Sequence, residues 1–121
     1  MYTEQEQQTI DIVERQLEAY NRRDIEAFAA TYHPEVEIAH FSKGLLYSGR
    51  ETLIKRYGEK FGGLTYLRAT SLKRIVHEQY LVDHELAESS DLASREINRS
   101  IKVVAAYEVE NGLIKRVTFV G

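Results

Sequence analysis

The sequence predicts an α+β domain in which helices pack against one face of a bent sheet. Helical periodicity is confined to the first half of the chain. Beyond Gly63 the chain reads as strand runs separated by turn signals. A length of 121 residues suits one hydrophobic core and is too short for two.

Thr3 and Glu6 stand at capping-box spacing, and Ile10, Val13, Leu17 and Tyr20 follow as one helical stripe. The Asn21–Asp24 segment reads as a tight turn, with Asp24 as N-cap of a second helix whose inner face is Ile25, Phe28, Ala29 and Tyr32. Pro34 is expected to stop that helix, because proline disfavours a helical residue before it. Val36 to Phe41 reads as a first strand, Ser42-Lys43-Gly44 as a turn, and Leu45-Leu46-Tyr47 as a short return strand. Ser48 and Glu51 form a second capping-box pair, opening a third helix with Leu53, Ile54, Tyr57 and Phe61 inward and Gly62-Gly63 as its stop. Leu64 to His77 and Gln79 to Leu86 are two strand runs joined by a tight turn, and Ala87 to Ser94 is a polar loop. Arg95 to Glu110 is a long strand, and Asn111-Gly112 is a two-residue hairpin turn into Leu113 to Val120.

Composition excludes several classes of function. A net charge of −3, with Arg and Lys spread singly, leaves no basic footprint for a nucleic-acid backbone. No cysteine is present, which removes disulfides, thiolate metal sites and cysteine nucleophiles. The polar start, Met1 to Gln8, does not read as a signal peptide, and no stretch approaches a membrane span, so a cytoplasmic location is expected. His33, His40, His77 and His84 lack the paired spacing of a metal-binding helix, and a site built from His40, His84 and Asp83 would need all three to converge. No metal and no cofactor are expected.

The element order, together with Ala19-Tyr-Asn-Arg-Arg-Asp24, Tyr32-His-Pro-Glu-Val-Glu-Ile38 and Ser48-Gly-Arg-Glu-Thr-Leu-Ile-Lys-Arg-Tyr57, resembles the nuclear transport factor 2-like superfamily. Within it the chain is most similar to the SnoaL-like and ketosteroid-isomerase-like proteins. The likeness is carried by motifs from Ile10 to Tyr57 and by element order thereafter. It implies a single SnoaL-like domain over residues 1–121: a cone-shaped, curved antiparallel sheet wrapped by three N-terminal helices, the cystatin-like α+β barrel. It also implies a largely apolar cavity open at one end and a homodimer formed through the outer sheet face. The superfamily holds isomerases, cyclases, dehydratases and epoxide hydrolases alongside binding domains without catalysis.

Matching Asn21, Asp24 and Gly49 to the isomerase pattern without gaps places His40 where those enzymes carry an aspartate base. A histidine there keeps proton-transfer capacity near neutral pH. The oxyanion-hole tyrosine of the pattern falls on Gln16 and its protonated aspartic acid on or near Ala105, so steroid isomerisation proper is not implied. Gln16 interrupts the apolar stripe between Val13 and Tyr20, which suits a side chain facing a cavity.

The strand Leu81-Val-Asp-His-Glu-Leu86 supports two readings. Alternation alone buries Val82, His84 and Leu86. The resemblance instead turns Asp83 and Glu85 to the cavity, where one of them would orient His40 or serve as the acid, and leaves Val82 and Leu86 to a partner subunit. Tyr20, Tyr57, Tyr66, Tyr107 and Phe119 fall on inward positions.

The function expected is cofactor-independent proton transfer on a small apolar carbonyl or cyclic compound, as in an isomerase, cyclase or lyase. His40 and Asp83 are the expected catalytic residues, and Gln16, Tyr20, Tyr57, Glu85, Tyr107 and Phe119 the expected substrate-binding residues. A small-molecule-binding or dimerisation domain without catalysis is the alternative.

Overall fold

In the computed structural model, which describes residues 1–121, α1 (Glu4–Arg22) begins at the expected capping box. The Glu6 N–H donates to Thr3 Oγ1 and the Thr3 N–H to Glu6 Oε1, both at 3.0 Å. The helix ends at Arg23, whose φ of 54° is left-handed and reverses the chain. Asn21 in that turn is a tether as well. Its amide donates to the Ala69 carbonyl at 3.1 Å and accepts from the Ala69 N–H at 2.7 Å, clamping α1 to the sheet.

Helix α2 (Ile25–Ala30) is capped by Asp24, which accepts the Ala27 N–H at 3.1 Å. It ends before Pro34 is reached, so proline is not its stop. Strand β1 (Tyr32–His40) has already begun, and Pro34 lies exposed where its pairing is interrupted between Tyr32 and Glu37. A residue without an N–H costs no ladder bond there.

Strand β2 (Gly44–Ser48) pairs back on β1 and keeps Ser48. Helix α3 (Arg50–Gly63) therefore has no Ser48 capping box. Its N-cap is Gly49, at a φ of 93° that glycine tolerates and other residues resist. Leu53 and Phe61 are buried as expected, whereas Ile54 is exposed. Gly62 and Gly63 stay helical, and the chain leaves through extended Leu64 without a left-handed glycine.

Strands β3 (Tyr66–His77), β4 (Tyr80–Ser90), β5 (Arg99–Glu110) and β6 (Leu113–Val120) complete a six-stranded sheet of order β2-β1-β6-β5-β4-β3. Asn111 and Gly112, at φ 52° and 78°, make the hairpin the sequence predicts. Two expectations need correction. The sheet is mixed, because β6 runs parallel to β1, and it is an open sheet with β2 and β3 as free edges. Local alternation reports which residues share a face; it carries no signal for pairing between strands that distant in the chain. The loop expected at Ala87 to Ser94 lies later in the chain: β4 continues through Ala87 to Ser90, and the connection runs from Asp91 until β5 starts at Arg99 rather than at Arg95.

The helices cover one face of the sheet, where Val13, Phe28, Val36, Leu53, Leu81 and Ile114 are fully buried. On β4 that face carries Leu81, Asp83 and Glu85. Of the two readings of this strand, simple alternation is therefore overturned: Val82 and His84 point away from the helices, exposed. No helix is long and apolar enough to cross a membrane.

Candidate functional site

Between the helices and the sheet lies a cavity of about 210 Å³. Helix α1 supplies Gln16 and Tyr20, β1 supplies Tyr32, and α3 supplies Tyr57 and Lys60. The sheet supplies Glu85, Tyr107 and Phe119, with Ile101 and Val103 as apolar wall. The cavity adjoins an outer hollow of about 580 Å³, and Tyr20, Lys60, Ala87 and Ile101 line both. Six of the eight expected site residues thus face one space: Gln16, Tyr20, Tyr57, Glu85, Tyr107 and Phe119.

Glu85 is the acidic group of this cavity. It is 7% exposed, and Tyr107 donates its hydroxyl to Oε2 at 3.1 Å. Burial, with the neighbouring Asp83 charge adding to it, raises the Glu85 pKa to about 7, while the Tyr107 hydrogen bond and the Arg74 cation oppose the rise. Glu85 Oε1 is not engaged by Tyr107. Near neutral pH this carboxyl is divided between base and acid, the condition for moving a proton in either direction.

The tyrosines are held neutral. Burial raises the pKa of Tyr20, Tyr32, Tyr57 and Tyr107 above the ordinary phenol value, so their hydroxyls remain donors. Tyr20, Tyr57 and Phe61 pack edge to face, with ring centroids 5.6–6.3 Å apart, and Phe28 closes the cluster 4.7 Å from Tyr57. Gln16 is 5% exposed, and its buried Oε1 has no hydrogen-bond partner. A buried carbonyl oxygen left unpaired costs roughly 1–3 kcal/mol. A ligand donor reaching it would remove that cost.

His40 and Asp83, the two expected catalytic residues, lie apart from that space. His40 is not among the cavity-lining residues. Its Nδ1 accepts from the Ser42 N–H at 3.2 Å, and its Nε2 donates to the Gly121 carbonyl at 3.2 Å, so both ring nitrogens are occupied. Asp83, fully buried, is taken by Arg74, whose Nε and Nη2 donate to Oδ1 and Oδ2 at 2.6 and 2.8 Å, and by the Ser71 hydroxyl at 3.0 Å. The register row Asp83–Ala105–Phe119–His40 sets the two three strands apart. That is roughly 14 Å along the sheet, too far for Asp83 to orient the imidazole. His84 faces away from the cavity, so His40, His84 and Asp83 do not converge, and no group of three or more His, Asp or Glu side chains is placed to hold a metal ion.

Arg74, Tyr32 and Lys60 were not legible as site residues. A β-bulge at Leu72 shifts the register between Ser71 and Lys73, so Ser71 and Arg74 face inward together against the simple alternation. Tyr32 reads as the end of a helix and is instead the start of β1. Only the step of three residues from Tyr57 to Lys60, on a helix of correct register, would have pointed to Lys60.

A raised carboxyl pKa has a stability signature. The folded value near 7 lies above the ordinary 4.5, so between those pH values the folded chain holds a proton that the unfolded chain has lost. Stability from this group is full below the lower value and falls as pH rises through the higher, by up to about 3 kcal/mol. Melting temperatures from pH 5 to 8 are expected to fall for the wild type and to fall less for Glu85→Gln. Parallel curves would show that Glu85 titrates normally.

The open, curved sheet covered on one face by three helices is the α+β fold of cystatin-fold and nuclear transport factor 2-like proteins of known structure. The SnoaL-like domain model matches residues 13–117, and the chain belongs to that family. Three solved structures illustrate the shared fold. An uncharacterised cystatin-fold protein from Novosphingobium aromaticivorans is 17% identical, with TM-score 0.81 over 93% of this chain and 97% of that one. A candidate SnoaL-like polyketide cyclase from Jannaschia is 15% identical, with TM-score 0.80 over 98% and 88%. A candidate ketosteroid isomerase from Kribbella flavida is 19% identical, with TM-score 0.74 over 94% and 77%. Comparison with curated proteins finds no significant match.

Proposed function

We propose that this protein is a cofactor-independent enzyme that moves a proton on a small, mostly apolar carbonyl compound, as an isomerase, cyclase or lyase does. The observation carrying this reading is Glu85, a carboxyl poised near neutrality inside an apolar cavity and braced by Tyr107. Glu85 replaces His40 as the proposed base. Glu85 Oε1 takes a proton from carbon next to the carbonyl, and the developing oxyanion is met by hydroxyls of Tyr32 or Tyr57 and the Gln16 amide. The same carboxylic acid then returns the proton, to the original carbon or to a conjugated one, and is regenerated. The candidate cyclase and isomerase of the same fold support the reaction class. The residues are this chain's own.

The alternative is a small-molecule-binding or dimerisation domain without catalysis, and an inner cavity smaller than the roughly 300 Å³ lower end of ligand pockets favours the dimerisation form of it. One assay separates the two. Cyclic ketones and enones incubated with the protein in deuterated buffer are expected to take up deuterium next to the carbonyl faster than without it. Ligands that raise the melting temperature yet never exchange would leave binding alone.

The protein is further proposed to act in the cytoplasm as a homodimer. Ile75, Val82 and Ala106 share one register row on the outer sheet face, with Ile75 64% exposed. Ile75→Lys disturbs no core contact and is expected to give a monomer by light scattering where the wild type is a dimer. A monomeric wild type would reject the assembly.

A further inference from the structure

The wall of the cavity has a polarity gradient. Inward positions on β5 alternate as Arg99, Ile101, Val103, Ala105 and Tyr107, from the outer hollow to the Glu85–Tyr107 pair. Arg99 lines the outer hollow, Ile101 lies on the wall shared by both spaces, and Val103 stands opposite Glu85. From α3, Lys60 reaches the same boundary, its ammonium 5.1 Å from the Tyr20 ring centroid and 5.7 Å from that of Tyr57. These rings hold the cation at the entrance. Partial desolvation of the ammonium lowers the Lys60 pKa and the Arg99 charge lowers it further, so the two exposed cations that border the outer hollow act on each other.

The nearby carboxylates leave the pair unneutralised. Glu88 and Asp91 also border the outer hollow, but no carboxylate oxygen lies within 4.0 Å of Lys60 or Arg99. Asp91 accepts from the Asn98 amide at 2.7 Å, and Glu88 faces Arg68 across the β3–β4 ladder. The four-residue step from Arg99 to Val103 spans about 13 Å. A carboxylate held at the entrance therefore sits an apolar framework's length from Glu85.

We propose that the natural ligand is an amphipathic carboxylic acid, its carboxylate bound by Lys60 and Arg99 at the entrance and its apolar, carbonyl-bearing body inside the cavity. This deepens the proton-transfer reading by naming the substrate class, and it rests on that reading for the role of Glu85 alone. An anion at the entrance relieves the repulsion between the two cations, while the apolar stretch of Ile101 and Val103 offers the charge nothing deeper in. The carboxylate thus fixes which end of the molecule enters first.

The test uses ω-naphthoyl alkanoates of increasing chain length and their methyl esters, titrated calorimetrically at low and high salt. At low salt the best acid is expected to bind at least tenfold more tightly than its ester, with the advantage shrinking as salt screens the pair. Lys60→Gln and Arg99→Gln should each lose several-fold of that preference and the double variant nearly all of it, with melting temperatures unchanged. Lys60→Arg should keep it, and so should Lys43→Gln, which removes a charge from the β1–β2 turn. No preference for the acid at any chain length overturns the inference, whether both forms bind alike or neither binds. A preference that survives the double variant does so too. Acid preference without deuterium uptake would reject proton transfer and leave the carboxylate site standing; uptake on neutral ketones without acid preference would do the reverse.

Discussion

Glu85→Gln is expected to slow deuterium uptake by roughly 10²- to 10⁴-fold, the usual contribution of a positioned acid or base. Ligand affinity should change far less, because glutamine keeps the shape and can still accept the Tyr107 hydroxyl. The rate for the wild type should rise with pH through an apparent pKa near 7, following ionisation of Glu85. Asp83→Asn removes the adjacent negative charge that helps raise that value, so its profile should move to lower pH. His40→Ala should leave rate and profile nearly unchanged, since both ring nitrogens face Ser42 and Gly121. An inactive His40→Ala with a near-normal Glu85→Gln would return the base to the position the sequence suggests.

The contrast between His40 and Glu85 shows where sequence reasoning reached. Signals confined to a few neighbours were readable: the Thr3–Glu6 capping box, the Asp24 cap, the Asn111-Gly112 turn and the inward Tyr20 all stand in the structure as expected. The structure departs from these expectations where backbone detail that periodicity does not carry decides the placement. Gap-free matching puts His40 at the base position, and it does pair with cavity-lining Phe119, but it is the last residue of β1, and its ring is turned to Ser42 and Gly121 rather than lining the cavity. Ser48 lost its capping role because β2 retains it and Gly49 makes the turn. Asp83 and Glu85 are indistinguishable by alternation, since they share a face. What separates them is Arg74, brought opposite Asp83 by a bulge that periodicity cannot see. One carboxylate is thereby neutralised, and the other is left to the cavity.

That division makes Arg74 the position with the largest expected effect on stability. Its guanidinium is bidentate to Asp83, which is fully buried, and it also pairs with Glu14 on α1, tying the helix layer to the sheet. Arg74→Met keeps most of the stem but strands the Asp83 charge, at a cost of about 3–5 kcal/mol. At about 4 °C per kcal/mol, the melting temperature should fall by roughly 12–20 °C. If the loss comes from an unpaired charge rather than from missing packing, Arg74→Met with Asp83→Leu should recover most of it, since a buried pair replaced as a whole by apolar side chains is often neutral. Glu14→Gln alone should cost little, because Glu14 is 43% exposed. The same charge acts on the site, for Arg74 opposes the rise in the Glu85 pKa. Measured below its lowered melting temperature, Arg74→Met should therefore shift the exchange profile to higher pH, opposite to Asp83→Asn. Shifts of opposite sign would establish that the Arg74–Asp83 pair tunes Glu85 while holding the frame around it. A Arg74→Met variant as stable as the wild type would mean that Asp83 is not the sealed charge its burial describes.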